Sequence, residues 1–418
     1  MRARWNLPLV CVLSLSAAVS AADWPQFLGP QRNGVYTGPL AASWPAAGPR
    51  KVWEKKIGQG FAGPVVAGDL LILFHRVGRE EVVDAMAAAT GEARWHYAYP
   101  TGYRDDFGFD EGPRAVPVVA GNRVYTFGAE GQLHAVDLAT GRRVWSVDTK
   151  ARFGVRKGFF GAAGSPLVED GRVIANVGGT DGDKPAGIVA FNAETGAVVW
   201  TATNHEAGYS SPVGATFGGE RVAVFFTRRG LVGLAPASGR VVFERMWRSR
   251  SNASVNAASP LVVGDLIFIS AAYETGAAAL RVLGNELKEL WSSDEVMSNH
   301  YATSVVARGI LYGFHGRQEY GPSFRAVELN TGKVLWNVDR FKAGTVTLAG
   351  DKLVILRESG ELMLASASPQ AFRPLVETRI LPATIRATPA LSDGFLYVRN
   401  TDNPGPTLVC LDLRPLTR

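Results

Sequence analysis

Apolar and polar residues alternate along this chain in a twelve-residue unit that reads strand, tight turn, strand. Copies are DAMAAATGEARW ending at Trp95, HAVDLATGRRVW at Trp145, VAFNAETGAVVW at Trp200 and RAVELNTGKVLW at Trp336. Weaker copies are VGLAPASGRVVF at Phe243 and LRVLGNELKELW at Trp291. The Thr-Gly or Ser-Gly pair supplies the left-handed residue that such a turn demands. A second unit, a Ser-Pro or its equivalent followed by an apolar strand, a glycine turn and another apolar strand, occurs eight times, with turn glycines at 68, 121, 171, 219, 264, 309, 350 and 394.

Successive turn glycines lie 41 to 53 residues apart, the period of a four-stranded propeller blade. The pattern therefore predicts an all-β, eight-bladed β-propeller with four-stranded antiparallel blades over residues 50–418, preceded by an arm at 23–49. A propeller must close its ring. The last blade ends at VCLDLRPLTR without its Trp strand, and RKVWEKKI supplies an orphan copy at Trp53, so the N-terminal strand is expected to complete blade eight. The tryptophans Trp53, Trp95, Trp145, Trp200, Trp291 and Trp336 are expected to be buried between blades.

The AxxTGxxxW repeat resembles that of pyrroloquinoline-quinone-like propellers, the family of quinoprotein alcohol dehydrogenases and of an outer-membrane barrel-assembly scaffold lipoprotein. The lead-in DWPQFLGPQRNG is similar to the start of secreted bacterial members. The resemblance implies the fold, and leaves open whether the chain holds a quinone over calcium or serves as a scaffold.

Composition narrows the setting. Residues 1–22 carry Arg2 and Arg4, an apolar run at 7–19 and the small residues Ser20, Ala21 and Ala22, the layout of a signal peptide cleaved near Ala22. A periplasmic or secreted location follows. No other stretch approaches the roughly 20 apolar residues of a membrane helix. Cys11 lies in the signal segment without the small residue expected before a lipid-modified cysteine, which leaves Cys410 alone and excludes an internal disulfide. The formal charge of +6 is a mild excess; the cluster Arg245, Arg248 and Arg250 reads as solvated loop charge, and no nucleic-acid partner is expected. A monomer is expected.

Chemistry is expected where the inner strands begin, around one mouth of the axial funnel. Aligned copies place Gln59, Phe61, Glu111, Arg114, Phe159, Phe160, Glu206, Tyr209, Ser254, Asn256, Asn299, His300, Tyr301, Lys342 and Arg386 there. This set suggests a site for a polar, anionic ligand, with Arg114, Lys342, Arg386 and His300 converging. His300 is also a candidate general base. The loop at 103–114 concentrates Asp105, Asp106, Asp110 and Glu111 without calcium-loop spacing, and reads as an acidic turn with Glu111 pairing Arg114. The glycine-rich stretches at 58–64 and 178–183 read as turns, and Asn252-Ala253-Ser254 is a formal sequon.

Three functions fit. The first is a non-catalytic binding or scaffold module with a periplasmic or outer-membrane protein partner, needing no cofactor and no metal. The second, implied by the resemblance, is a quinoprotein dehydrogenase of alcohols or sugars holding pyrroloquinoline quinone and calcium. Glu111, Asn256 and one of the loop aspartates would then be calcium and base candidates, and Arg114, Lys342 or Arg386 would face the quinone. Against it, the adjacent-cysteine disulfide of the alcohol-dehydrogenase branch is missing, and among tryptophans outside the repeat only Trp247 could reach the mouth. The third is a carrier or sensor of a small polar ligand, recognised by Tyr209, His300, Tyr301 and Arg386.

Overall fold

The computed structural model describes residues 23–252, 255–401 and 405–415. The signal segment, Cys11 and Ser254 lie outside the described residues. Eight antiparallel sheets stand around one axis. Blade 1 comprises Val65–Ala67, Leu70–Val77, Glu80–Ala87 and Ala93–Pro100, from the inside out. The inner strands of blades 2 to 7 are Val118–Ala120, Leu167–Glu169, Val213–Phe217, Leu261–Val263, Val305–Ala307 and Gly344–Ala349. Blade 8 is built from Ala390–Ser392, Phe395–Arg399 and Thr407–Asp412, and its outermost strand is Arg50–Lys56. Trp53 stands opposite Cys410, so the N-terminal strand closes the ring as the repeat predicts.

The outermost strand pair of every blade carries a register shift. In six of the eight it falls immediately before the repeat tryptophan, which turns the indole toward the neighbouring blade. Each of these six indole N–H groups then donates to a carbonyl there: Trp53 to Ala88, Trp95 to Leu138, Trp145 to Ala193, Trp200 to Pro236, Trp291 to Leu329 and Trp336 to Ser368, at 2.7 to 2.9 Å. Only Trp145 is fully buried; the other five rings keep an edge open to solvent. The ring also explains the turn glycine twice over. Gly196 has φ of +72°, and a Cβ there would meet Trp145 at 2.8 Å; Gly141 and Gly239 stand the same way against Trp95 and Trp200.

A second belt ties the blades near the axis. The hydroxyls of the Ser-Pro elements accept backbone N–H groups from the preceding blade: Val116 to Ser165, Ser165 to Ser211, Ser211 to Ser259, and Ser259 to Thr303, at 2.8 to 3.2 Å. These hydroxyl residues are buried, so the repeat needs Ser or Thr there to satisfy amides that water does not reach.

The arm at 23–49 does more than lead into the first strand. Trp24 exchanges backbone bonds with Val66 of blade 1, and Pro25 accepts from Val119 of blade 2. Arg32, buried, donates to the carbonyls of Pro166 and Pro212 in blades 3 and 4 and to Gln26. Val35–Tyr36 then runs parallel to the inner strand of blade 7 as a fifth strand, and the Tyr36 hydroxyl accepts from Gly394 of blade 8. A segment bonded to blades 1 to 4 and then to 7 and 8 crosses the axis. It does so at the end where the inner strands finish, opposite the expected mouth.

Replacing Trp145 with Ala is expected to cost about 3–5 kcal/mol in urea unfolding, and Gly196→Ala to destabilise through the same ring. Val199→Ala, on the solvent side of the next outer strand, should stay within about 0.5 kcal/mol. Equal losses for Trp145 and Val199 would contradict the inter-blade lock. Arg32→Met leaves the Pro166 and Pro212 carbonyls without their donor and is expected to cost about 1–3 kcal/mol for each unpaired group; Arg32→Lys, lacking the fork, should restore only part.

Candidate functional site

Because the arm stoppers one end, the axial channel becomes a blind cavity of about 230 Å³ open at the other. Phe27 of the arm contributes to its lining, and each blade adds at least one residue from the start of its inner strand. Blade 1 gives Phe61; blade 2 Arg114 and Val116; blade 3 Phe160 and Ser165; blade 4 Tyr209 and Ser211. Blades 5 to 8 give Ala257, then His300 and Tyr301, then Thr345, then Arg386 and Thr388. Phe109, Tyr273, Gln318 and Glu319 complete the wall from neighbouring loops.

Seven of the residues expected at the mouth meet in this cavity: Phe61, Arg114, Phe160, Tyr209, His300, Tyr301 and Arg386. Seven other described ones do not. Gln59 bridges to Arg76, Phe159 packs under the Arg228 guanidinium, and Glu206 lies in a neighbouring depression. Asn256 is buried beneath the lining, its amide donating to the carbonyls of Thr227 and Trp247. Asn299 is likewise a scaffold residue, donating to Phe314 and accepting from Ser304. Lys342 is exposed beside Glu361. Glu111 pairs with Arg104 at 2.7 Å and not with Arg114, and Arg104 holds its carboxyl below the usual range.

The charges at the axis are matched within the protein. Arg114 bonds Asp105 at 3.2 Å, with both side chains nearly closed to solvent, and its guanidinium packs against the rings of Phe61, Tyr103 and Phe160. Arg386 bonds Glu358 at 2.9 Å and lies over Phe61 and Phe109. Glu358 also accepts the Tyr301 hydroxyl at 2.6 Å, and burial together with that carboxylate pushes the phenol well up. The expected convergence of free cations for an anion is therefore replaced by paired arginines in an aromatic wall. Tyr209 accepts from the Phe160 amide at 3.1 Å, and burial raises its hydroxyl.

His300 lies against Tyr273, with Nε2 3.0 Å from the Tyr273 hydroxyl, while Nδ1 accepts weakly from the Gln318 amide at 3.5 Å. Burial depresses its pKa to about 4, with Arg317 and Arg386 adding to the shift against the opposing pull of Glu319. The imidazole is neutral at pH 7.

The residues suited to calcium do not assemble. Asp105 is committed to Arg114 and the Phe109 amide, Asp106 to Lys157, and Asp110 to the amides of Gly60 and Gly112. Among the described residues no three His, Cys, Asp or Glu side chains are grouped as a metal site. Trp247 does not reach the cavity; it lines a separate depression between blades 4 and 5 and donates to Gly276 at 3.3 Å. The residues present do not fit a quinone–calcium centre.

Several wall residues escaped the sequence alignment. Gln318 and Glu358 come from the hairpins between second and third strands, which end on the same face as the inter-blade loops; aligning those hairpins would have found them. Phe109 and its neighbour Phe107 sit in the acidic loop, where two apolar rings among aspartates were the available signal. The glycines at 178 and 179 belong to the strand Arg172–Asp181 and not to a turn.

A family profile described as outer membrane protein assembly factor BamB matches residues 79–319. The Burkholderia pseudomallei outer membrane protein assembly factor BamB is 24% identical over 375 residues, covering 77% of this chain and 89% of the relative. The Pseudomonas putida quinohemoprotein alcohol dehydrogenase ADH-IIG is 34% identical over 142 residues, but the match spans 33% of this chain and 19% of the enzyme. In structure the chain is similar to BamB from Moraxella catarrhalis, with a TM-score of 0.62 at 15% identity over 88% of this chain and 99% of that one. It is similar too to the Comamonas testosteroni quinohemoprotein alcohol dehydrogenase, with a TM-score of 0.66 at 14% identity over 95% of this chain and 81% of that one. Both structural likenesses show the eight-bladed fold. Among the described residues no helix is long and apolar enough to cross a membrane. With more than half its length matched by the profile, the chain belongs to the outer membrane protein assembly factor BamB family of β-propellers.

Proposed function

We propose that this chain is a non-catalytic binding propeller of the periplasm, a scaffold working in outer-membrane protein assembly. The observation that carries this reading is the commitment of every candidate calcium-binding carboxylate at the mouth to an arginine, a lysine or a backbone amide. Each of those bonds would have to break before a quinone–calcium centre could form, and Arg114, nearly closed to solvent, would be left without its counter-charge. A rigid disc with loops gathered at one face, by contrast, needs no such rearrangement to hold a partner. His300 fits the same reading: a neutral imidazole clasped between Tyr273 and the Gln318 amide positions the wall more readily than it takes protons at pH 7.

Titration with pyrroloquinoline quinone and calcium, followed by quinone absorbance, melting temperature and dye reduction with alcohols, is expected to give no shift and no turnover. A saturable spectral change with turnover would overturn the reading. In the source bacterium the chain is expected to co-purify with the outer-membrane barrel-assembly complex, and its deletion to lower outer-membrane protein levels.

The buried histidines set a pH dependence. The folded pKa values of His134, His300 and His315 lie at about 4, each lowered chiefly by burial, against an ordinary value of 6.5. Between those limits the unfolded chain takes up protons that the folded chain declines, so stability falls as pH drops from about 6.5 toward 4, by at most about 1.4 kcal/mol per pH unit for His134 and for His300 and by less for the more exposed His315. His300→Gln should flatten the slope of melting temperature against pH in that window; an unchanged slope would place the His300 pKa near its ordinary value.

A further inference from the structure

We propose that the axial cavity and the basic trough beside it together receive an acidic polypeptide segment bearing one aromatic side chain, the ring entering the cavity and the carboxylates lying along the trough. The inference rests on the reading of the chain as a binding module and names what it binds.

Size selects a single ring. The cavity holds about 230 Å³, below the roughly 300–1,000 Å³ of pockets that enclose whole small molecules, and it is blind at the arm. Its wall is suited to an aromatic guest. Phe27, Phe61, Phe160, Tyr209 and Tyr301 line it, and the Arg386 guanidinium stands 5.7 Å from the Phe61 ring and 5.1 Å from the Phe109 ring. With both arginines already paired, a charged guest would gain little there, whereas a ring gains dispersion and edge contacts.

The rim continues the same chemistry outward. Phe107 and Phe109 are 54% and 52% exposed and stack at 6.1 Å beside the opening. Solvent-facing phenylalanines grouped at a pocket mouth mark a contact surface. Next to them a trough of about 760 Å³ runs between blades 2 and 3 and shares Tyr209 with the cavity. Its charged lining is Arg104, Lys150, Arg156, Lys157 and Arg228 against Glu130 and Glu206. Arg156 is exposed and has no ion-pair partner among the described residues. Arg104, Lys150, Lys157 and Arg228 are paired with Glu111, Glu130, Asp106 and Glu206, so among the described residues Arg156 is the trough cation left for a guest carboxylate. That unpaired charge, beside a neutral aromatic hole, matches a chain whose aromatic anchor is followed by Asp or Glu.

The test uses the full mature chain and short fluorescent peptides read by anisotropy at low and high salt. The probes are an acidic peptide with a single Trp, the same peptide with Trp replaced by Ala, the same with its carboxylates replaced by amides, and an oligothymidylate of equal length. The acidic Trp peptide is expected to bind saturably, and each altered peptide to bind at least about tenfold more weakly; only the acidic peptides should lose affinity with salt. In the protein, Arg156→Glu and Phe109→Ser, both at exposed positions, should each weaken the Trp peptide by about tenfold without changing the melting temperature. Indifference to the ring, indifference to both substitutions, or equal binding of the oligothymidylate would overturn the proposal. Peptide failure with intact co-purification of the assembly complex sinks this inference alone; quinone turnover sinks the binding reading itself.

Discussion

The interaction on which the structure depends is the contact between the outer strand of one blade and the outer turn of the next. A blade in a ring touches only its two neighbours, so ring stability is a sum of blade and interface terms. In six of the eight interfaces an indole donates its N–H to the neighbouring turn and lays its face over that turn. At five of these the turn presents a glycine, and at the sixth Phe372 packs against Trp336 instead. The outer lock sets the angle between blades, and the inner belt of Ser and Thr hydroxyls holds three of the same pairs together near the axis, blades 2 and 3, 3 and 4, and 5 and 6. With the blades locked to one another in a closed ring, the axial diameter is no longer adjustable, and the residues at the start of each inner strand must share whatever space remains.

That space comes with an electrostatic constraint. Eight inner strands expose carbonyls and amides to a narrow channel, and the chain closes one end with a cation. Arg32 suits the task because its fork can donate in several directions at once: it reaches two blades and Gln26 together, and although burial pulls its pKa down to about 9 it stays charged at neutral pH. At the open end the solution differs. Arg114 and Arg386 are each given a carboxylate, Asp105 and Glu358, so the cavity gains shape and rigidity from ion pairs without carrying a surplus of charge. An unpaired cation appears farther out, at Arg156 in the trough between blades 2 and 3, where solvent shares the cost.

The legible part of the sequence was whatever repeats. The Thr-Gly–Trp unit marks six locks, the Ser-Pro unit marks the inner belt, and the unpaired copy at Trp53 marks the closing strand, because each serves a contact that recurs from blade to blade. Contacts made once leave no period to read. Arg32 meets carbonyls 134 and 180 residues away in sequence, and nothing local to DWPQFLGPQRNG announces them. The pairing of Glu111 failed for a related reason: Arg114 is nearer in sequence, but the loop folds so that Arg104 faces Glu111 while Arg114 turns inward to Asp105. Lys342 occupies the aligned position yet sits on a left-handed residue that points it to the rim beside Glu361.

The two interfaces without a repeat tryptophan show how such one-off contacts are accommodated. Blade 4 carries Phe243 in its outer strand, and the facing turn of blade 5 at Gly284 is a tight hairpin against which no ring packs. Trp247, four residues on, bonds the blade 5 carbonyl of Gly276 instead, closer to the mouth. Between blades 7 and 8 the outer strand Pro374–Arg379 has no tryptophan, and Trp44 of the arm donates to Thr378 in its place. The arm therefore contributes to an interface as well as to the floor of the cavity, which couples ring closure to the formation of a blind pocket. A chain that folds its ring with the arm in place has its binding cavity already shaped, and the wall needs no ligand to assemble it.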